Sequence, residues 1–246
     1  MQEAKLKDEI EGPSAERLVL GIDTCGPTGS VALARLVRDG VQLLGQIELE
    51  GRSYSSTLVT AVGELLTQAQ VRMGLLDAIV AVRGPGSFTG VRLGLSAVKG
   101  LAEPGGIPVV AVSRLAVLAR KAGVDAAALD AHRHELFLGL GEGGLGEGGA
   151  QAREILAGRP ELVAIEPRPA QVAVCDESAA ALLLEAWPAT ELVQPGAPTA
   201  ADAIELAASK IKAVEFADLA LLDGHYLRRS DAEIFGEPAQ AGARRA

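Results

Sequence analysis

Leu18-Val19-Leu20-Gly21-Ile22-Asp23-Thr24, then the turn Gly26-Pro27-Thr28-Gly29, then Ser30-Val31-Ala32-Leu33-Ala34 sets the architecture of this chain. The first run is apolar and of strand length. The Pro/Gly turn ends it, and a second strand follows. Asp39-Gly40 is a further hairpin signal, and Val41 to Leu49 reads as a third strand. Three consecutive strands joined by tight turns are antiparallel neighbours.

Downstream the period changes. Leu58, Val62, Leu65, Leu66 and Ala69 fall at i, i+4, i+7, i+8 and i+11, one stripe of a helix over about 53–70, with Ser53, Ser55 or Ser56 as its cap. Asp77 to Val82 is a buried strand, and a Gly-rich turn leads into a helix over about 90–102. Pro108 to Val112 is a strand, and Ser113 to Ala122 a helix. Strands follow near Ala126–Asp130 and Glu135–Leu140. Later signals are weaker: a strand at Val172–Val174, a helix near Ser178–Ala186 and a stronger one over about 200–214. The order β-β-β-α-β-α-β-α with an antiparallel start predicts an α/β protein of the ribonuclease-H-like, actin-like class rather than an all-parallel sheet. The expected organisation is a polar tail over 1–16, an N-lobe over 17–107 joined by the returning helix 200–214, a C-lobe over 108–199, and a tail over 231–246. Gly141 to Gly149 is a Gly/Glu stretch expected at a hairpin tip or surface loop.

Composition bounds the function. The chain has 246 residues, 48% hydrophobic, 22% charged and 3% aromatic, with 23 basic and 32 acidic residues for a net charge of −9. That balance argues against a chain that grips nucleic acid alone, because such binding rests on many Lys/Arg contacts to phosphate. The two cysteines, Cys25 and Cys175, make neither a disulfide framework nor a CxxC motif. The charged N-terminus lacks the apolar core of a signal peptide, and no apolar run is long enough to span a membrane. A cytoplasmic protein is expected.

The most informative segment is Arg83-Gly84-Pro85-Gly86-Ser87-Phe88-Thr89-Gly90-Val91-Arg92-Leu93-Gly94, between a strand and a helix. Two readings fit it. Free N–H groups and a helix N-terminus suit an anion. A tight turn that lets the helix pack closely is the simpler reading, and Gly90, Gly94 and Ala97 form a small-residue stripe consistent with it. A phosphate P-loop is excluded, since Val91-Arg92 stands where Lys-Ser/Thr is needed. A dinucleotide fingerprint has its third glycine one place late and no acidic ribose partner, which disfavours an oxidoreductase. Ser87 does not fit a nucleophile elbow.

Asp23-Thr24 ends the first strand, where actin-like ATPases hold metal and phosphate. A hairpin in which both residues cap backbone groups is the alternative. A phosphate site would use Asp23, Thr24, Gly84, Gly86 and Ser87. Cys25 reads as a small buried residue. His132 and His134, at i, i+2 on a strand, would share a face, but a zinc site needs a third ligand, so no metal site is expected.

These segments resemble the TsaB (YeaZ) family, the accessory subunit of the bacterial system that makes threonylcarbamoyladenosine in tRNA. The resemblance is carried by Gly21 to Thr24 with Ser30 to Leu33; by Asp77 to Gly94 with Lys99 to Ala102; by Ile107 to Ser113 with Leu115; by Asp130 to Phe137; and by Tyr226 to Glu233. It covers 18–140 closely and 150–233 loosely. It implies a two-lobed actin-like fold and a non-catalytic role beside the transferase subunit TsaD and the ATPase TsaE. It implies no cofactor of its own, with ATP only in the complex, and tRNA reached only indirectly. The catalytic relatives carry His-x-x-x-His on a helix where this chain has Arg114 and Leu118, neither of which can act as an imidazole. The C-lobe lacks a clear Gly-Gly adenosine loop, with Cys175-Asp176-Glu177 near its place. In the family the two N-lobe helices pair with those of TsaD, or with a second copy when the partner is absent. The residues expected at that interface are Leu58, Val62, Leu65, Leu66, Gly90, Gly94 and Ala97. An actin-like ATPase or phosphotransferase using Asp23 and Thr24 is the alternative.

Overall fold

The computed structural model describes residues 16–50, 54–141, 145 and 152–228. The expected tails, the proposed cap Ser53 and most of the Gly/Glu stretch lie outside them. Among the described residues ten strands form two five-stranded sheets. The first contains β1 (Arg17–Asp23), β2 (Thr28–Val37), β3 (Gly40–Glu50), β4 (Ala78–Val82) and β5 (Val109–Val112), in the order β3-β2-β1-β4-β5. β1 pairs antiparallel with β2 and parallel with β4; β2 pairs antiparallel with β3, and β4 parallel with β5. The second contains β6 (Ala126–Asp130), β7 (Glu135–Leu140), β8 (Arg153–Gly158), β9 (Gln171–Val174) and β10 (Glu191–Val193), in the order β10-β9-β6-β7-β8. Its pairings repeat the pattern: antiparallel from β6 to β7 to β8, parallel from β6 to β9 to β10. Each half is thus one ribonuclease-H-like sheet, and the chain is its duplication. The first sheet includes Val109–Val112, one strand beyond the expected lobe boundary at 107, because β5 adds to the parallel edge of β4.

Six helices cover the sheets: α1 (Tyr54–Gln68), α2 (Phe88–Ala102), α3 (Arg114–Ala122), α4 (Arg159–Ala164), α5 (Glu177–Ala186) and α6 (Ala200–Lys212). Ser55 and Ser56, considered as caps, lie inside α1. The helix after each third parallel-side strand crosses over. α3 packs on β6, β7 and β9, α6 packs on all five strands of the first sheet, and the two crossing helices meet. Thr199 and Asp202 form a capping box at the start of α6. The Ala200 amide donates to Ser30 Oγ at 2.8 Å. A Cβ on Gly21 would stand 2.6 Å from the Ala200 carbonyl, so glycine in β1 lets α6 sit flat on the sheet.

β1 and β4 are buried on both faces and read as continuous apolar runs, as expected of central strands under helices. One apolar cluster runs from the first sheet through α3 into β6 and β7, joining the lobes, and a smaller one lies under α4 and α5 around Trp187. The weak signals of the second half have a physical basis. β9 and β10 have four and three residues and α4 has six, too short for a period to register.

Candidate functional site

The site lies where the first sheet meets α3. β1 delivers Asp23 and Thr24 to the mouth between the lobes, and the 83–90 segment folds over them. The Ser87 amide donates to the Cys25 carbonyl at 2.8 Å. Thr24 Oγ1 donates to the Gly90 carbonyl at 2.7 Å. The Gly90 amide donates to Ser87 Oγ, the cap of α2, at 3.2 Å. A Cβ on Gly86 would lie 2.2 Å from the Cys25 carbonyl, on Gly90 2.0 Å from that of Thr24, and on Gly94 2.2 Å from Thr24 Oγ1. The glycine run is therefore a close fit between two loops and a helix of one chain. The simpler of the two sequence readings holds for the loop's packing.

Arg114, the first residue of α3, completes the arrangement. Its guanidinium reaches back to Asp23, Nε to Oδ2 3.5 Å, with the side chains 6% and 1% exposed. The other carboxylate oxygen accepts from the Cys25 amide at 2.8 Å. A Cβ on Gly26 would stand 2.3 Å from Arg114 Nη2, so the first turn is shaped to admit the guanidinium. Burial works against charge on Arg114, but Asp23 beside it overrides this and raises its pKa. Burial and the Asp23 charge push the Cys25 thiol well up. The same two causes raise the Tyr54 phenol to about 12. The Tyr54 hydroxyl donates to the Gly26 carbonyl at 2.8 Å.

Of the expected phosphate ligands, Asp23 is neutralised by Arg114 and Thr24 is spent on Gly90. Ser87 caps a helix, and the Gly84 carbonyl accepts from the Arg114 amide at 2.7 Å. Each of these bonds lies within the chain itself. Across the mouth, Asp176 caps α5, Oδ1 accepting from the Ala179 amide at 2.7 Å. Asp176 Oδ2 accepts from the Asp130 amide at 3.1 Å. Cys175, Asp176, Gln194 and Gly196 line an open cavity of about 330 Å³ there.

Two expectations are corrected. Leu58, Val62, Leu65 and Leu66 are 1%, 2%, 2% and 7% exposed and belong to the core under α1, while Gly90 and Gly94 face Thr24. A periodic stripe marks a packed face, and these packing partners are internal. Ala97 alone of the seven is partly exposed. His132 and His134 are not on a strand. With Arg133 they form a turn of three left-handed residues, φ 60°, 56° and 59°, between β6 and β7. His132 Nδ1 lies 3.1 Å from Asp130 Oδ2 and is exposed. Among the described residues no group of three or more His, Cys, Asp or Glu is arranged to hold a metal ion. Sequence reasoning noted Arg114 only as standing in a ligand's place and missed its pairing with Asp23. An acidic strand end and an arginine at a helix start, 91 positions apart, carry no local signal.

Parts of the outer faces of α1 and α2 are not covered by any described residue. Val59 is 63% exposed, and ideal Cβ atoms on Gly63 and Gly100 would meet nothing within 4 Å. Phe88 and Tyr226 stack 4.8 Å apart at the start of α2, with the Arg92 guanidinium 3.8 Å from the Phe88 ring centroid.

Two sheets of one topology, exchanged crossing helices and a mouth lined by two strand-end turns define a two-lobed protein of the actin-like, ribonuclease-H-like class. A solved YeaZ from Pseudomonas aeruginosa is 30% identical, with 86% of this chain matched to all of that one at a TM-score of 0.69. The chain belongs to the TsaB (YeaZ) family. A second Pseudomonas aeruginosa structure, described as an uncharacterized protein with similarity to peptidase YEAZ, gives a TM-score of 0.71 at 29% identity, over 86% of this chain and all of that one. The tRNA threonylcarbamoyladenosine biosynthesis proteins TsaB of Bacillus subtilis and Escherichia coli are 34% and 35% identical over 126 and 125 residues. These matches take in 50% and 48% of this chain. The chain spans about half the length of these curated relatives, 54% and 52%. A family model described as TsaD, tRNA N6-adenosine threonylcarbamoyltransferase, matches residues 47–164. No helix among the described residues is long and apolar enough to cross a membrane.

Proposed function

We propose that this chain is a non-catalytic subunit that binds and supports a TsaD-type transferase in threonylcarbamoylation of adenosine 37 of tRNAs reading ANN codons. A TsaE-type ATPase completes the system, ATP enters only in the complex, and the setting is the cytoplasm. The names of the relatives supply the pathway. The observation that carries the scaffold role is the exposed surface of α1 and α2 that the described residues leave open: Val59 and Gly63 on one helix, Gly100 on the other. Glycines with open space above them permit backbone-close helix packing by a partner, and they contribute nothing to this chain's own core. The mouth supports the same reading. A Mg²⁺ ion at Asp23 would have to displace Arg114 from a buried pair, at a cost no solvated carboxylate imposes.

The interface therefore moves from the buried stripe to the exposed flank of the same two helices. The transferase subunit is the occupant, and a second copy of this chain takes the same face when it is absent. Gly63→Arg and Gly100→Arg place bulk and charge on that face without touching the core. In a reconstituted system of transferase, ATPase, tRNA, ATP and an activated threonylcarbamoyl donor, each variant is expected to fold as the parent does and to lose modified-adenosine formation. Full activity of both variants would remove this face from the account.

A further inference from the structure

The segment after α6 is tied to both lobes. From Ala213 to Arg228 the chain forms no helix and contributes no ladder strand beyond one bridge, Ala217 to Val109. A segment of this kind stays ordered only where it is tied down. Two backbone bonds fix it to the first lobe: the Ala217 amide to the Val109 carbonyl at 2.8 Å, and the His225 amide to the Arg83 carbonyl at 2.7 Å. Leu222 is buried in the larger core, and Tyr226 stacks on Phe88 of α2. Two of its polar side chains reach the second lobe. His225 Nε2 lies 2.9 Å from Glu154 Oε2 on β8. Arg228 pairs with Glu135 at the start of β7 and donates to the His132 carbonyl at 3.0 Å. Beneath this crossing is a crevice of about 290 Å³, lined among others by Arg83, Ser113, Glu154 and His225.

Two further pairs cross between the lobes elsewhere. Asp23–Arg114 joins β1 to α3, and Lys121–Asp202, at 2.9 Å, joins α3 to α6. Two-lobed folds of this kind have rotation about the inter-lobe connections as their soft motion. Here charge pairs bridge the groove at three separate places: its mouth, the crossing helices and the C-terminal segment.

From this we infer that residues 217–228 are a clasp that fixes the angle between the lobes, with His225 and Arg228 as its two fastenings. Through the Tyr226–Phe88 stack the clasp also holds the start of α2, so the position of the second lobe is linked to one of the two helices with an uncovered face. This holds whether or not that face binds a transferase.

The test is a distance measurement between spin labels on Val59→Cys in α1 and Val163→Cys in α4, both exposed, in a Cys175→Ser background. Cys25, 1% exposed, stays unlabelled. The parent is expected to give one narrow inter-lobe distribution. His225→Ala with Arg228→Ala is expected to broaden it and to speed hydrogen exchange at the backbone amide of position 225, which bonds the Arg83 carbonyl. The swapped pair Glu135→Arg with Arg228→Glu, His225 intact, is expected to narrow it again. If the double variant fails to fold, Arg228→Ala alone provides the reading. A distribution as narrow without the fastenings as with them overturns the clasp, and so does a swapped pair that stays as broad as Arg228→Ala.

Discussion

Arg114→Met leaves the Asp23 carboxylate, 1% exposed, without its cation. At 3.5 Å the pair's attraction is about 5 kcal/mol for an effective dielectric near 20. Stranding one member of a buried pair costs about 3–5 kcal/mol. The two routes agree on about 4 kcal/mol, which for a chain of this size lowers Tm by about 8–16 °C. Asp23→Asn keeps the oxygen that accepts from the Cys25 amide and strands the guanidinium instead, so its cost is of the same order. The double variant Asp23→Asn with Arg114→Met removes both charges, and most of the loss should return, because a neutral pair of similar volume carries no uncompensated ion. The assay is urea unfolding of the four proteins followed by circular dichroism, closed as a double-mutant cycle. Single losses within about 1 kcal/mol, or a double variant that merely sums the singles, would show that the pair is solvated and that the mouth is open to other ions.

The remaining predictions concern packing, ionisation and capping. Gly94→Ala drives a methyl to 2.2 Å from Thr24 Oγ1 and should cost about 1–3 kcal/mol. Gly63→Ala meets open space in a helix interior and should gain about 0.5–1 kcal/mol, both read by urea unfolding; equal effects would put the two glycines on the same kind of face. The Tyr54 phenol is raised to about 12, so it stays neutral in the fold at a pH where the unfolded chain, near 10, has begun to ionise. Its contribution to stability is present below pH 10 and is lost as pH rises from 10 towards 12. In a Tyr226→Phe background the 295 nm phenolate band should appear near pH 12 or on unfolding, and a band at pH 10 in folded protein contradicts the burial described. Asp176→Ala removes both the cap of α5 and the acceptor of the Asp130 amide, so about 1–2 kcal/mol should be lost in thermal unfolding; a change of a few tenths would mean that water replaces both bonds.

The first half of the fold was legible because its signals are long and local. Three strands joined by tight turns gave the antiparallel start. The stripe from Leu58 to Leu66 is a helix because those side chains share one buried face, and Ala69 lies just past its end. What the stripe could not reveal is the identity of its packing partner. The same spacing serves a core and a subunit interface, and at Leu58, Leu65, Gly90 and Gly94 the partner is this chain. The residues left exposed on the same helices, Val59, Gly63 and Gly100, are inconspicuous in sequence because they are small or isolated. The turn at His132-Arg133-His134 was hidden for another reason. Left-handed backbone is ordinarily announced by glycine, and here three non-glycine residues adopt it, held by the Ala131 amide to the Glu135 carbonyl at 3.0 Å and the His132 amide to Asp130 Oδ1 at 2.7 Å. The pairings of Asp23 with Arg114 and of His225 with Glu154 join residues far apart in the chain, and only the duplicated sheet topology brings them together.

The central claim is that the outer face of α1 and α2 receives a transferase subunit. Light scattering behind a sizing column measures this most directly, on the chain alone and mixed with the TsaD-type subunit of the same organism. A shift to the mass of a mixed complex is expected, abolished by Gly63→Arg in a variant that unfolds at the parent's temperature. Two unshifted peaks from the parent mixture would contradict it.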